Sequence, residues 1–372
     1  MTLHERWTTT LDQLRAQGRY RQFVLPSGVD FTSNDYLGYA KRSHETRMDV
    51  SRSGTASRLL RGHHAIWDEV ESTLASWHGA EAALMMTSGY VANEGLISTL
   101  MEPGDWVAGD ELNHACIVDG LRLARCRRFN YRHNDLNHLE EGLRAEAERN
   151  EPGRQRFVLT ESVFSMDGDK TPLREIANLA DRYGAYLIVD EAHSTGCYGP
   201  TGAGCIDEAG IRPQVLASMH TGGKALALPG AYIVGSRLLK EYLTNKCRHL
   251  IFTTALAPAV GAWWVEGLAR VQSDSDSRAR LHENTRLFRT ELSARGIQAG
   301  GTEYVVPVIV GEDAPAVAAA MSLQKQGFDV RAIRPPSVPL GTSRLRISIH
   351  ADHDPATLIR LAGAVAESLN ND

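Results

Sequence analysis

The sequence predicts an α/β protein with a mostly parallel central sheet, helices on both sheet faces and a smaller C-terminal α/β domain. The first observation is a series of short apolar runs interleaved with helical stretches, as is typical of buried parallel strands. The second is a separate group of strand and helix patterns beyond residue 257. The third is the length of 372 residues, which suggests about two domains.

The elements follow in chain order. Residues 3–17 predict a helix outside the main fold, and residues 31–37 predict an extended piece that ends in a turn. Apolar residues at helical spacing predict a helix over 66–77, and a further helix is expected over 90–100. Short buried strands are expected over residues 82–86, 157–160, 185–189, 215–219 and 231–234.

The C-terminal part begins with a long helical pattern over 258–295 that connects two domains. Strands are then expected over 304–310, 328–333 and 344–350, and helices over 314–326 and 355–369. We therefore expect an N-terminal helix and arm over 1–45, a large domain over 46–257, and a connecting helix with a small domain over 258–372.

Composition excludes several classes of protein. With 42% hydrophobic and 23% charged residues, the chain is neither collagen-like nor disordered. A formal charge of −5 argues against broad binding to nucleic acid or to an anionic membrane. The N-terminus lacks the apolar core of a signal peptide, and no apolar run approaches the ~18 residues that span a membrane. Five widely spaced cysteines without a CxxC pair favour a reducing compartment, so we expect a cytoplasmic protein.

Lys224 lies in a glycine-rich turn, TGGKALALPG. A nucleotide phosphate loop needs a glycine five residues before its Gly-Lys pair and a Ser or Thr after it, but Ser218 and Ala225 occupy these places. Two interpretations of the motif stay open. Lys224 either forms an imine with an aldehyde cofactor or is a surface lysine in a loop.

A second motif is YLIVDEAHSTG, in which an apolar strand ends at Asp190 and His193 follows. Open α/β sheets bind ligands at the carboxyl ends of their parallel strands. A pyridoxal phosphate (PLP) enzyme needs an acid beside the pyridine nitrogen and a donor for the ring oxygen, and these two residue types fit. The alternatives are a magnesium-binding Asp-Glu pair, which the missing phosphate loop disfavours, and a structural cap.

Three further features are weaker signals. The turn at Gly89 and Tyr90 precedes a helix and either seats a phosphate or is an ordinary βα turn. His114, near a helix start, either stacks on a cofactor ring or is structural. Arg344 and Arg346 share one strand face, which either binds a carboxylate or is solvated. Together the features predict PLP acting on an amino acid, and we expect no metal site.

Stretches spread over nearly the whole chain resemble one known family. They include SNDYLGYA (33–40), TSGYVAN (87–93), DELNHACIVDG (110–120), VDEAHSTGCYG (189–199), HTGGKALALPGAYIVGS (220–236) and AIRPPSVPLGTSRLRIS (332–348). In these motifs the sequence resembles the α-oxoamine synthases, which are fold type I PLP-dependent transferases. The resemblance implies that Lys224 carries the cofactor as an imine, Asp190 pairs with the pyridine nitrogen, His193 contacts the ring oxygen and His114 stacks on the ring.

The resemblance also implies other contacts. Further cofactor contacts are implied at Gly89, Tyr90, Ser165 and Thr221. Thr253 and Thr254 match a segment that reaches the phosphate of the neighbouring subunit, which implies a homodimer with shared active sites. Asn34 and Arg346 would address the amino-acid carboxylate, and Arg21 and Ser337 resemble substrate contacts.

The branch that RHNDLNHL (132–139) and the segment 332–346 most resemble condenses L-alanine with a pimeloyl thioester of coenzyme A or of acyl carrier protein, with loss of carbon dioxide. Other branches, which use glycine or serine with other acyl thioesters, stay open, and a PLP aminotransferase or aldolase is a remote alternative. The chain departs from the family at the glycine-poor segment 53–62, at Trp67, where histidine is frequent, and at His220, where a smaller residue is common.

Overall fold

The computed structural model describes residues 3–20, 25–40, 51–149, 151 and 153–370. Its strands are β1 (Val29–Asp30), β2 (Ala82–Met86), β3 (Trp106–Asp110), β4 (Arg127–Tyr131), β5 (Arg156–Glu161), β6 (Tyr186–Asp190), β7 (Val215–Thr221), β8 (Ala231–Gly235), β9 (Val305–Gly311), β10 (Phe328–Asp329), β11 (Arg331–Ile333) and β12 (Ser343–Ser348). Its α-helices are α1 (Leu3–Ala16), α2 (Ala65–Trp77), α3 (Gly89–Leu100), α4 (Ala115–Ala124), α5 (Leu136–Arg149), α6 (Leu173–Arg182), α7 (Cys205–Ala209), α8 (Arg237–Lys246), α9 (Arg248–Ile251), α10 (Pro258–Ser273), α11 (Ser275–Ala294), α12 (Asp313–Lys325) and α13 (Pro355–Asn370). A π-helical turn covers Arg58–Gly62 and a 3-10 turn covers Arg212–Gln214.

The chain forms two compact units. The larger unit comprises Asn34–Ser165 and Lys170–Ala279, and the smaller one comprises Met1–Ser33, Met166–Asp169 and Arg280–Asp372. These bounds differ from the predicted domains. The helix α10 belongs to the larger unit because it packs on α2. The segment before residue 34 belongs to the smaller unit because β1 pairs with β10.

A seven-stranded sheet in the order β2-β8-β7-β6-β5-β3-β4 forms the centre of the larger unit. The five strands β3 to β7 are all parallel to one another. The strand β8 is antiparallel to both strands beside it, β2 and β7. All five residues of β2 and of β3 are buried, as expected for strands covered on both faces. The predicted mostly parallel sheet is therefore confirmed.

Neighbouring side chains of β7 point to opposite faces of this sheet, and their contacts show what covers each face. Met219 belongs to an apolar cluster with residues of α3 and α4. The next residue, His220, points to the other face. There its ring lies 4.1 Å from the ring of His78, at the end of α2, and 4.8 Å from that of Tyr232. The Tyr232 ring meets Trp264 of α10 edge-on.

The smaller unit contains a three-stranded antiparallel sheet, β11-β12-β9, and the parallel pair β1-β10. The helix α12 packs on β11, β12 and α13. His350 and His353 hold the N-terminal segment, because their Nε2 atoms lie 3.2 Å from Ser33 O and 2.8 Å from Asp30 O. No helix among the described residues is long and apolar enough to cross a membrane.

Three element predictions need correction. The strands β3 and β4 were not expected. The helical pattern over 258–295 breaks at Asp274, whose carboxylate accepts the Ser277 N–H at 2.9 Å and so begins a new helix. The predicted strand over 328–333 is two strands, because residues 328–329 pair with β1 while residues 331–333 pair with β12.

Glu191 is a fully buried carboxyl group just beyond β6. It accepts hydrogen bonds from Ile206 N at 3.0 Å and from Ser194 Oγ at 2.9 Å. Burial nevertheless raises the pKa of Glu191 to about 7. Because the native state holds this proton more tightly than the unfolded chain, the side chain's stabilising contribution is fully present below pH 4.5. It is lost as the pH rises towards 7.

We therefore expect the wild-type protein to lose about 2 kcal/mol of unfolding free energy, relative to Glu191→Gln, between pH 5 and pH 7.5. Urea unfolding of both proteins at the two pH values measures this difference. A difference that does not change with pH would contradict a raised pKa at Glu191.

Candidate active site

The carboxyl ends of three neighbouring parallel strands meet at one edge of the large sheet. Glu161 ends β5, Asp190 ends β6 and Thr221 ends β7. Glu161 and Asp190 are direct partners in the strand register. Parallel strands place the groups that follow them at the same edge, where open α/β sheets bind ligands.

Lys224 lies in the loop that follows β7. The loop is closed by hydrogen bonds from Gly222 N to Gly230 O (2.9 Å) and from Leu228 N to Gly222 O (2.8 Å). Trp264 Nε1 fixes its far side by donating to Pro229 O at 2.8 Å. A β-carbon on Gly222 would lie 2.4 Å from Leu228 O, so the loop needs glycine there. The half-buried Lys224 is thus carried by a tightly packed turn.

Asp190 is buried, and both of its carboxylate oxygens accept hydrogen bonds. Asn93 Nδ2 donates to Oδ2 at 2.7 Å, and Ala192 N donates to Oδ1 at 2.7 Å. Asn93 lies on α3, one turn after Gly89. The side-chain amide of Asn93 therefore fixes the orientation of this carboxylate from the neighbouring helix.

His193 and Asn34 are brought together by Tyr36. The Tyr36 hydroxyl lies 2.7 Å from His193 Nδ1 and donates to Asn34 Oδ1 at 2.9 Å. Tyr36 is fully buried. A cofactor-site residue and a substrate-site residue predicted from separate motifs therefore share one hydrogen-bond network.

His114 caps the N-terminus of α4. Its Nδ1 accepts from Cys116 N at 3.2 Å, so the proton of the neutral ring is on Nε2. Burial lowers the pKa of His114, and the charge of Asp190 only partly opposes this effect. Burial also raises the pKa of the adjacent Cys116 thiol to about 12. The ring is therefore neutral at physiological pH and lies beside a protonated thiol.

Glu161 holds the backbone of His114, whose N–H donates to Glu161 Oε1 at 2.6 Å. Burial raises the pKa of Glu161 well above its usual value, the nearby Asp190 raises it further, and the Lys224 ammonium lowers it. His114 responds to the same two charges, so Asp190, Lys224, Glu161 and His114 form one electrostatic cluster.

The N-terminus of α3 faces the end of β7. A β-carbon built on Gly89 would lie 3.6 Å from Thr221 Cβ and Oγ1. Ser88 caps this helix, while the unpaired N–H groups of a first helical turn suit a phosphate. Tyr90 donates its hydroxyl to the Asp119 carboxylate, and its ring stands edge-on to His114 at 6.2 Å.

The remaining predicted site residues lie elsewhere. Ser165 lies in the segment after β5, Thr253 lines a cavity with Met86 and Thr87, and Thr254 is exposed. Arg346 and Ser337 belong to the smaller unit. There Arg346 Nη1 donates to Ser348 Oγ at 2.9 Å, and Ser337 N donates to Arg334 O at 3.1 Å. Arg21 lies outside the described residues.

Comparison with known proteins identifies the family. The family model for class I and II aminotransferases matches residues 26–365. The 8-amino-7-oxononanoate synthase of Chlorobaculum parvum is 39% identical, over 95% of this chain and 95% of that protein. The chain belongs to the α-oxoamine synthase family.

Solved structures of this family show the same fold. A serine palmitoyltransferase from S. paucimobilis, with PLP and myriocin bound, is 28% identical and matches with a TM-score of 0.88 over 99% of this chain and 98% of its own. The 8-amino-7-oxononanoate synthase of Francisella tularensis is 25% identical, with a TM-score of 0.77 over 92% and 98% of the two chains. The predicted fold type I architecture is therefore confirmed, and PLP is the cofactor of this α-oxoamine synthase.

The donor set of the cluster fits PLP. The aldehyde of PLP needs an amine, its pyridine nitrogen an anionic partner and its phosphate a group of N–H donors. Lys224, the buried Asp190 and the N-terminus of α3 offer these three groups within the larger unit. A neutral His114 ring suits contact with the flat, apolar face of the pyridine.

Four residues of the candidate site were not predicted: Tyr36, Asn93, Cys116 and Glu161. Tyr36, Asn93 and Cys116 all lie within stretches that resemble the family, but the resemblance implied no cofactor or substrate contact for any of them. Glu161 could have been found by the pattern that revealed Asp190, because an acidic residue ends an apolar strand in both cases.

We expect Glu161→Gln to retain catalysis and Glu161→Ala to lose it. The raised pKa favours the neutral acid, which glutamine mimics while still accepting the His114 N–H. Alanine leaves that partly buried N–H without its acceptor, which costs about 1 kcal/mol or more. Steady-state kinetics should show Gln within about threefold of wild type and Ala at least about tenfold below it, since tenfold is 1.4 kcal/mol. An equal loss in both variants would show that the carboxylate charge is required.

Proposed function

We propose that the chain condenses L-alanine with a pimeloyl thioester, of coenzyme A or of acyl carrier protein, to give 8-amino-7-oxononanoate, carbon dioxide and the free thiol. The observation that carries this proposal is the 39% identity to an 8-amino-7-oxononanoate synthase over 95% of both chains. The cluster at the strand ends supports it, because Lys224, Asp190 and His114 share one electrostatic environment.

Lys224 and Asp190 are proposed to perform the central chemistry. When bound, PLP supplies an aldehyde that holds the amino acid and an electron sink for the developing carbanion. The Lys224 amine takes the proton from the α-carbon of alanine and returns a proton to the product. Asp190, held by Asn93 and by the Ala192 N–H, would offer its carboxylate to the pyridine nitrogen.

The other residues of the cluster are proposed to bind and orient. His193, held by Tyr36, would contact the ring oxygen of PLP together with Ser165, and the neutral His114 ring would stack on the cofactor ring. The phosphate is proposed to lie against Gly89, Tyr90 and Thr221. The proposed substrate contacts are Arg21, Asn34, Ser337 and Arg346.

A homodimer is part of the proposal, with Thr253 and Thr254 reaching the neighbouring subunit's phosphate. Its support is an apolar surface beside this segment. Phe252 is 71% exposed and Leu60 is 78% exposed, and the turn Arg58–Gly62 packs near α9. A second copy would remove these side chains from water. A cytoplasmic location is also proposed, and the five buried cysteine thiols support it.

A second candidate function is another α-oxoamine synthase reaction with the same catalytic residues. The TM-score of 0.88 to a serine palmitoyltransferase over nearly the whole chain supports it. The two candidates share the proton transfers at Lys224 and differ in the amino acid and the acyl chain.

Product analysis separates the candidates. The holoenzyme is incubated with pimeloyl-CoA and, in separate reactions, L-alanine, glycine or L-serine, and the products are identified by mass spectrometry. We expect a decarboxylated adduct with L-alanine only. An adduct with glycine or serine instead would assign the chain to another branch of the family.

The matched control is Lys224→Ala, which removes the amine and leaves the fold of the loop. It should give no adduct with any amino acid. An adduct formed at the wild-type rate would contradict the role of Lys224.

A further inference from the structure

A row of hydrogen-bonded polar side chains lies on the face of the large sheet opposite the N-terminus of α3. It runs from Arg212 through Ser218 and His220 to Thr195. The three links join Arg212 Nη1 to Ser218 Oγ, Ser218 Oγ to His220 Nε2, and His220 Nδ1 to Thr195 Oγ1, each at 2.8 Å. Ser218, His220 and Thr195 are all buried.

Each hydrogen bond in this row has a fixed direction. The guanidinium can only donate, so Ser218 accepts from Arg212 and gives its own proton to His220 Nε2. The Thr195 hydroxyl donates to Glu191 O at 2.8 Å, so it accepts from His220 Nδ1–H. The His220 tautomer with its proton on Nδ1 therefore gives every donor and acceptor of the row a partner. The tautomer with its proton on Nε2 would leave the Ser218 hydroxyl proton without an acceptor within the row.

His220 is neutral in this environment. Burial lowers its pKa well below the usual value, and the nearby His78 and Arg212 lower it further. A neutral ring can donate at one nitrogen and accept at the other, as the row requires.

The row ends on the turn that carries the proposed cofactor residues. Glu191 directly follows Asp190, and Thr195 lies two residues after His193. The turn is also tied to β7 by the bond from Glu191 N to Met219 O at 2.8 Å. Thr195 is thus the point at which the opposite face of the sheet is joined to this turn.

We propose that His220 is a positioning residue for the PLP site, which holds Asp190 and His193 in place through its hydrogen bond to Thr195. This inference rests on the proposed roles of Asp190 and His193, but it does not depend on which amino acid or acyl thioester reacts.

Three substitutions at position 220 separate the two hydrogen bonds. His220→Asn keeps an N–H near the place of Nδ1 and can still donate to Thr195. His220→Gln reaches the place of Nε2 and can still accept from Ser218. His220→Phe keeps a ring of similar size and loses both bonds. Thr195→Val removes the acceptor without touching His220.

The control is His78→Phe. His78 is buried against the same ring, but its Nε2 bonds to the Tyr232 hydroxyl at 2.9 Å rather than to His220, Ser218 or Thr195. Three quantities are measured for each protein: the PLP dissociation constant, the pH midpoint of the absorption change of the bound cofactor, and the melting temperature of the apoprotein.

We expect His220→Phe, His220→Gln and Thr195→Val to weaken PLP binding at least about tenfold and to shift the pH midpoint, since tenfold is the 1.4 kcal/mol of one hydrogen bond. His220→Asn should bind PLP within about threefold of wild type. His78→Phe should lower the melting temperature without moving the midpoint. The double variant His220→Phe/Thr195→Val should be no worse than either single one.

The proposal is overturned if His220→Phe and Thr195→Val keep wild-type PLP affinity and midpoint while their melting temperatures fall as in His78→Phe. Failure of His220→Asn to exceed His220→Gln would also overturn it. Because none of these measurements uses a substrate, they stay informative if the substrate assignment fails.

Discussion

The site depends on one constraint, the parallel hydrogen-bonded register of β5, β6 and β7. This register places the carboxyl ends of the strands side by side, so residues far apart in sequence share one edge of the sheet. Glu161 and Asp190 are brought together there as direct register partners. Burial raises the pKa of Glu161, and the neighbouring Asp190 raises it further. The arrangement is tolerated because both carboxyl groups accept N–H groups and the Lys224 ammonium lies near.

The two faces of the large sheet contribute different residues to the candidate site. One face carries α3, whose N-terminus lies against Thr221 and whose Asn93 holds Asp190. The opposite face carries the hydrogen-bonded row through His220, which meets the turn after β6 at Thr195. Because adjacent residues of β7 point to opposite faces, Thr221 and His220 serve the same site from two sides.

Much of the fold could be predicted because strands buried on both faces are continuous apolar runs. The strands β2, β7 and β8 began at or within one residue of their predicted starts. The strand β4 was missed because it lies at the sheet edge, where Arg128 and Asn130 are exposed and no apolar run remains. The break at Asp274 was missed because an N-cap inside a helical pattern interrupts the backbone without changing the apolar periodicity.

Individual motifs indicated Lys224, Asp190 and His193, but not the residues that hold them. Tyr36 meets His193 across 157 positions, and Asn93 meets Asp190 across 97 positions. Such pairs follow from tertiary contact and leave no local signal. The hydrogen-bond row through His220 was equally hidden, since in the sequence His220 is only an unusual residue before Thr221.

The central claim is that Lys224, at the edge where β5, β6 and β7 end, is the residue that binds the cofactor. The most direct test reduces the holoenzyme with sodium borohydride, which makes the linkage between PLP and its lysine permanent, and then maps the modified peptide by mass spectrometry. The account predicts one modified lysine, Lys224, and no modification of that peptide without PLP. Stoichiometric modification of any other lysine, or none at Lys224, would contradict it.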